Sequence, residues 1–220
     1  MPSDPKPPLV RLREAGQPRG VADRAGILLH GRSRTKQEML DLTDALTVKN
    51  AGGGVRWLAP YATGGLWYPG RYGEPLDANE PQLTRSVERC HWLVLDAAEG
   101  GRLGPEQIFI VGFSQGACVA VEYALRHPAS VAAIVAFTGC LMGPPDTVWK
   151  TAGGHSLKGL SVFLSGSDAD EWIDEVRTRE TARVLQELGA EVEMHIYSGR
   201  PHIVSQEELT DARAFLQAHF

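Results

Sequence analysis

The segment Gly112-Phe113-Ser114-Gln115-Gly116 places a serine between two glycines, a pattern that can do nucleophilic chemistry. The apolar, β-branched residues 107–111 precede it as a strand, and residues 117–125 follow it with a helical pattern. A strand that turns directly into a helix passes through a strained backbone conformation, and the flanking glycines prevent clashes there. The segment therefore predicts a nucleophile elbow with Ser114 at its tip.

A serine hydroxyl needs a general base, usually a histidine that a carboxylate holds in one tautomer. His202 follows the predicted strand 192–197, and Asp168 and Asp170 follow the predicted strand 160–164. The order serine, aspartate, histidine is the one expected for a strand–elbow–helix enzyme of this kind. Both aspartates remain candidates on this reasoning, and a helix-capping role for them is the structural alternative.

Stabilisation of an oxyanion requires N–H donors close to the nucleophile. Gln115 supplies a backbone N–H at a helix N-terminus, where the helix dipole favours negative charge. His30-Gly31-Arg32 ends the first core strand, the place from which such enzymes take a second donor. We therefore predict an oxyanion hole made of the backbone N–H groups of Arg32 and Gln115.

These side chains need a scaffold in which strands and helices alternate, and the sequence has one. Apolar runs predict strands at residues 26–30, 55–59, 107–111, 131–137, 160–164 and 192–197. Helical patterns lie between and after them, at residues 36–48, 81–100, 117–125, 173–188 and 205–218. This alternation predicts an α/β protein with a parallel sheet that is covered on both faces. We expect a flexible N-terminal segment at residues 1–20, with a short edge strand near residues 9–13, and a single domain at residues 21–220.

The segment 59–75 is rich in glycine, proline and aromatic residues and breaks this alternation. It is interpreted either as a surface loop packed by its own aromatics or as a wall or lid over a substrate cleft. Trp67, Tyr68 and Trp172 are the candidate substrate-binding residues. Arg71 and Arg200 are candidates for binding an acidic substrate, with solvated loop arginines as the alternative.

A net charge of −5 and a pI near 5.8 argue against a nucleic-acid-binding surface. The three cysteines have no metal-ligand spacing and are too few for a disulfide framework. No segment has the length of a membrane span and no export signal is recognised, so we expect a cytoplasmic protein without stable membrane insertion. The oligomeric state is left open.

Several of these segments together resemble the phospholipase/carboxylesterase family of α/β-hydrolases, which includes the acyl-protein thioesterases. The resemblance is carried by residues 28–32, Trp67-Tyr68, 112–117, 167–170 and 201–203. It implies a three-layer α/β-hydrolase fold with a mostly parallel central sheet. It also implies serine hydrolysis without metal or organic cofactor, with a small ester, a lysophospholipid and an acyl thioester left open as the substrate. Carried over by position, Ser114 would be the nucleophile, His202 the general base and Asp170 the orienting acid.

The chain departs from the family pattern near the acid and the base. Glu171 and Asp174 stand where the family commonly has prolines, and Pro201 precedes His202 where glycine is common. These departures keep open a noncatalytic ligand-binding protein with the same fold. A dienelactone-hydrolase-like enzyme is the other alternative, but that group normally has cysteine where this chain has Ser114.

Overall fold

The computed structural model describes residues 12–47 and 54–220. Seven strands form one sheet within these residues, in the order β1-β3-β2-β4-β5-β6-β7. The strand β1 pairs antiparallel with β3, and every other neighbouring pair is parallel. The strands are β1 Leu12–Gly16, β2 Arg24–Leu29, β3 Val55–Pro60, β4 Ile108–Phe113, β5 Ala133–Phe137, β6 Ser161–Ser167 and β7 Glu191–Tyr197.

Helices connect most of the parallel strands, and the connection from β5 to β6 contains only a 3₁₀ turn. The α-helices are α1 Lys36–Leu40, α2 Thr43–Leu46, α3 Gln82–Ala97, α4 Gln115–Arg126, α5 Glu175–Glu187 and α6 Gln206–His219. Short 3₁₀ turns lie at Thr63–Gly65, Leu76–Asn79, Pro105–Gln107 and Ala152–Gly154.

The central strand β4 shows how the sheet separates two cores. Its residues alternate, so that Ile108 and Ile110 belong to one hydrophobic cluster and Phe109 and Val111 to the other. Helices α3, α4 and α5 contribute to the first cluster, and helices α1, α2 and α6 contribute to the second. All six residues of β4 are buried, as expected for a strand covered on both faces. The predicted three-layer fold with a mostly parallel sheet is confirmed.

The single helix predicted at residues 36–48 is wrong, because two short helices, α1 and α2, occupy this segment. The hydroxyl of Thr43 donates a hydrogen bond to the carbonyl of Leu40 at 2.6 Å, and in a continuous helix that carbonyl would accept from the Asp44 N–H. Val48, the last residue of the predicted helix, lies outside the described residues.

The N-terminal prediction also needs correction. Residues 12–16, within the segment expected to be flexible, form β1, which pairs with β3 from Leu12 opposite Pro60 to Gly16 opposite Arg56. The predicted edge strand at 9–13 coincides with β1 at residues 12 and 13, and residues 9–11 lie outside the described residues. Residues 12–16 are partly buried or exposed and do not form an apolar run, which gives the sequence a weak strand signal.

The parallel strands all end at the same edge of the sheet. Leu29, Phe113, Ser167 and Tyr197 are the last residues of β2, β4, β6 and β7. The loops that carry the predicted chemistry follow these ends, and ligands of open α/β sheets bind at this edge.

Candidate active site

Ser114 lies at the tip of the turn between β4 and α4, with φ 53° and ψ −119°. A positive φ is uncommon for a residue with a side chain, and such strain persists only where the surroundings enforce it. The Ser114 N–H donates to the carbonyl of Phe137 at 2.9 Å, which fastens the turn to the end of β5. The predicted elbow is therefore present in the structure.

The two glycines of the elbow are required by close approach. A Cβ on Gly116 would lie 2.1 Å from the carbonyl oxygen of Leu29, and one on Gly112 would lie 2.6 Å from the backbone of Ala117. Both obstacles are main-chain atoms of packed elements, so they cannot move aside as a flexible side chain would. The glycines thus allow α4 to pack directly against the ends of β2 and β4.

His202 connects Ser114 to Asp170. Its Nε2 lies 2.7 Å from Ser114 Oγ, and its Nδ1 lies 2.9 and 2.8 Å from the two carboxylate oxygens of Asp170. A carboxylate only accepts hydrogen bonds, so Nδ1 carries the proton and donates it to Asp170. In the neutral ring Nε2 is then free to accept the Ser114 hydroxyl proton. This is the tautomer that a histidine general base requires.

The Asp170 carboxylate is fixed by its own loop as well as by His202. Its side chain is fully buried, and its Oδ1 accepts from the main-chain N–H groups of Trp172 at 2.8 Å and Ile173 at 3.0 Å. Burial alone would raise the pKa of Asp170, but the hydrogen bonds from His202 and from these two N–H groups outweigh it and lower the pKa. The carboxylate is therefore oriented and ionised before a ligand arrives.

Asp168, the other candidate acid, faces a different group. Its carboxylate is exposed and accepts from the Gly199 N–H at 2.6 Å and the Ser198 hydroxyl at 2.8 Å, which lowers its pKa. Asp168 thus fixes the turn that leads to His202, and only Asp170 of the two contacts the imidazole.

The departures from the family pattern are accommodated at the same place. Glu171 accepts a hydrogen bond from the main-chain N–H of His202 at 3.2 Å. The carbonyl of Pro201 accepts from the Ile203 N–H at 2.7 Å, and the imidazole still points at Ser114. Sequence reasoning missed this contact of Glu171, because residue type alone does not show which backbone group a loop carboxylate faces.

Two main-chain N–H groups lie next to the elbow without an acceptor. Within residues 12–47 and 54–220, neither the Arg32 N–H nor the Gln115 N–H donates a hydrogen bond. Gln115 is the first residue of α4, so its N–H points out of the helix N-terminus. These are the two groups that the sequence predicts as oxyanion donors.

The side chain of Gln115 also binds the loop after β3, a contact that the sequence did not reveal. Its Oε1 accepts from the Trp67 N–H at 2.9 Å, and its Nε2 donates to the Tyr68 carbonyl at 2.6 Å. The Arg32 guanidinium holds the same loop by donating to the carbonyls of Pro69, at 2.9 Å, and Gly70. The segment after β3 is therefore tied to both predicted oxyanion residues through their side chains.

A cleft of about 590 Å³ opens above Ser114 and His202, within the usual range for small-ligand sites. Tyr68 and Trp172 line it, as predicted. Trp67 is placed otherwise than predicted, because it is only 1% exposed, does not line the cleft, and donates its indole N–H to the carbonyl of His30 at 2.7 Å. The segment after β3 is thus both packed by its aromatics and a wall of the cleft.

His30 supports this wall and not the reaction centre. It is fully buried, its Nδ1 lies 2.7 Å from the Gly31 carbonyl, and its Nε2 accepts from the Ala62 N–H at 3.0 Å. Burial lowers the pKa of His30, so the ring is neutral at physiological pH. The ring packs against Tyr61 and Trp67 and holds the start of the loop against the end of β2.

Three further features of the described residues concern their cysteines, their metal-ligating side chains and the length of their helices. The three cysteines are free thiols, and all are buried. No cluster of three or more metal-ligating side chains is found in residues 12–47 and 54–220. Among the helices of the same residues, none is both long enough and apolar enough to cross a bilayer.

Comparison with known proteins places these features in a family. The model of the phospholipase/carboxylesterase family matches residues 58–220. A phospholipase/carboxylesterase from Dyadobacter fermentans has the same fold, with a TM-score of 0.83 and 30% identity, over 94% of this chain and 95% of that chain.

The curated relatives match a shorter part of this chain than the Dyadobacter fermentans structure does. Acyl-protein thioesterase 1 of Mycosarcoma maydis is 32% identical over 123 residues, which cover 54% of this chain and 50% of that protein. A probable carboxylesterase, SOBER1-like, of Arabidopsis thaliana is 26% identical over 145 residues, or 66% of this chain and 53% of that protein. The chain thus spans about half the length of these relatives.

Proposed function

Since the chain belongs to the phospholipase/carboxylesterase family, we propose that it is a serine hydrolase that cleaves carboxylic esters or thioesters by acyl transfer. The observation that carries the proposal is the position of the His202 ring, hydrogen-bonded to Ser114 Oγ at one nitrogen and to Asp170 at the other. Nucleophile, base and orienting acid are the three parts that such chemistry needs.

The reaction proceeds in two steps. Ser114 Oγ attacks the carbonyl carbon while His202 Nε2 takes the hydroxyl proton, and the backbone N–H groups of Arg32 and Gln115 stabilise the oxyanion. The tetrahedral intermediate collapses as His202 gives the proton to the leaving alcohol or thiol. Water then attacks the acyl-enzyme with His202 as base, which releases the acid and restores Ser114. Asp170 stabilises the imidazolium without being protonated itself.

Turnover of p-nitrophenyl acetate, butyrate and octanoate tests the proposal, together with fluorophosphonate labelling read by intact mass. We expect Ser114→Ala and His202→Ala to lower kcat/KM by at least about 10³-fold, and Ser114→Ala to abolish labelling. Ser130→Ala and His155→Ala are matched controls outside the cleft and should retain activity. If the wild type neither turns over nor labels, the proposal fails and a noncatalytic ligand-binding protein takes its place.

The two aspartates give a second test. Asp170→Asn removes the acceptor that fixes the tautomer of His202, so we expect a loss of about 10³-fold or more in kcat. Asp168→Asn disturbs only the turn at Ser198 and Gly199, so we expect a loss below about tenfold. Equal losses for the two variants would contradict the role given to Asp170.

A further inference from the structure

The cleft above Ser114 carries an excess of positive charge that hydrolysis of a neutral ester does not require. Three arginines line it, Arg32, Arg34 and Arg71, against one lining carboxylate, Glu74. The chain as a whole has a net charge of −5, so the cleft is opposite in sign to the molecule. A cleft lined by charge of one sign concentrates ligands of the opposite sign.

Arg71 is the arginine with the most freedom to bind a ligand. Its side chain is exposed, and it forms no ion pair with any residue in the described ranges. Its guanidinium carbon lies 5.6 Å from the centre of the Trp172 ring. Stacking on a ring positions a guanidinium and leaves its N–H edges available to an anion.

The backbone under Arg71 is anchored, so its position is defined. The Arg71 carbonyl accepts from the Glu74 N–H at 3.3 Å and from the Asn79 side-chain amide at 3.3 Å. Asn79 is fully buried, and its Oδ1 accepts from the Gly70 N–H at 2.8 Å. The loop therefore holds Arg71 at the cleft by contacts that do not involve its guanidinium.

The other two arginines also keep most of their charge. Arg34 has one carboxylate partner, Glu38 at 3.7 Å, and both side chains are 49% exposed, so this pair is weak. Arg32 donates to main-chain carbonyls, which orient its guanidinium but do not neutralise it.

Resting on the proposed hydrolase function, we propose that the ester substrate carries an anionic oxygen group, a carboxylate or a phosphate, and that Arg71, with Arg34, binds it. The aromatic walls formed by Tyr68, Phe113 and Trp172 contact the carbon chain. Guanidinium groups match carboxylate and phosphate in geometry as well as in charge.

The test compares release of 4-nitrophenol from 4-nitrophenyl hydrogen glutarate and from its methyl ester, in which a methyl group caps and neutralises the carboxylate, each corrected for uncatalysed hydrolysis. We expect the kcat/KM ratio of the anionic to the neutral substrate to exceed one in the wild type. The ratio should fall about fivefold or more in Arg71→Gln, and likewise in about 0.5 M NaCl, which screens charge. Arg85→Gln, an exposed arginine on α3 outside the cleft, is the matched control and should leave the ratio unchanged.

Competition identifies the anionic group. Glutarate and inorganic phosphate are each tested as inhibitors of neutral-ester turnover. Stronger inhibition by glutarate assigns a carboxylate, and stronger inhibition by phosphate assigns a phosphate. A wild-type ratio of one or less, with no inhibition by either anion, overturns the inference while the hydrolase function stands. An inhibition that Arg71→Gln leaves unchanged also overturns it.

A failure of the hydrolase function is distinguishable from a failure of the inference. If no ester is turned over, calorimetric titration of the wild type and Arg71→Gln with glutarate and phosphate decides the anion site alone. Binding that the variant weakens supports the site, and no binding to the wild type overturns it.

Discussion

At the scale of single residues, the feature that most restricts the chemistry is the pairing of Asp170 with its own loop. The N–H groups of Trp172 and Ile173, two and three residues further on, donate to its Oδ1. A side chain that is held by neighbouring backbone groups loses little freedom when His202 binds to it. The orientation of the imidazole is therefore built into the chain around residue 170.

This pairing predicts how stability depends on pH. The folded-state pKa of Asp170 is lowered, because its hydrogen bonds outweigh its burial, so the folded state favours the carboxylate more than the unfolded state does. The Asp170 carboxylate therefore contributes its full stabilisation at pH values above its pKa in the unfolded state, about 3.9. This stabilisation is lost as the pH falls through its pKa in the folded state.

The measurement is urea unfolding of the wild type and Asp170→Asn from pH 6 to pH 3. We expect the difference in free energy of unfolding to be largest at pH 6 and to shrink as the pH falls below about 4. Asp77→Asn is the control, since Asp77 is exposed and its carboxylate has no hydrogen bond within the described ranges. A difference that stays constant over this range would contradict the prediction.

Some residues of the site could be predicted from the sequence and others could not. Ser114 and His202 could be found from the sequence because the elbow motif and the chain order restrict them. The choice between Asp168 and Asp170 could not, because both follow the same strand and only the course of the loop decides which one faces the imidazole. Trp67 was misplaced for a similar reason, since an aromatic residue in a loop can pack inward or line a cleft.

At the scale of elements, the elbow depends on how closely α4 approaches β2. We predict that Gly116→Ala destabilises the protein by about 3 kcal/mol, because its Cβ would lie 2.1 Å from the Leu29 carbonyl oxygen and force helix and strand apart. Urea unfolding measures the loss, and esterase turnover should fall as Ser114 moves.

Gly73→Ala is the matched control for this substitution. Gly73 is exposed, and a Cβ there meets nothing within 4 Å. We expect a change within about 0.5 kcal/mol. If Gly116→Ala were equally neutral, close contact between α4 and β2 would not be what the elbow requires.

Elements were predictable where burial dictates their pattern. The strands of the sheet interior are apolar on both faces and could be located from sequence, whereas β1 has only partly buried and exposed residues and therefore a weak signal. At the break between α1 and α2 the Thr43 hydroxyl donates to the Leu40 carbonyl, a local contact that hydrophobic periodicity does not register.

At the scale of the whole molecule, β1 protects the edge of the sheet and joins it to α3. All six residues of β3 are buried, and β1 covers its outer side. Arg56 of β3 is 2% exposed and pairs with Glu14 of β1 at 2.8 Å and with Asp96 of α3 at 3.0 Å. An exposed edge of apolar residues invites association with other chains.

We therefore predict that a chain starting at residue 18 is less stable than the full chain by about 2 kcal/mol or more, because β3 loses its antiparallel partner β1 and Arg56 loses Glu14. It should also associate at increasing concentration, as light scattering would detect. A chain starting at residue 12 retains β1 and serves as the control, and Glu14→Gln separates loss of the ion pair from loss of the strand. If the chain starting at residue 18 matched the full chain in stability and oligomeric state, β1 would contribute nothing to the edge that it covers.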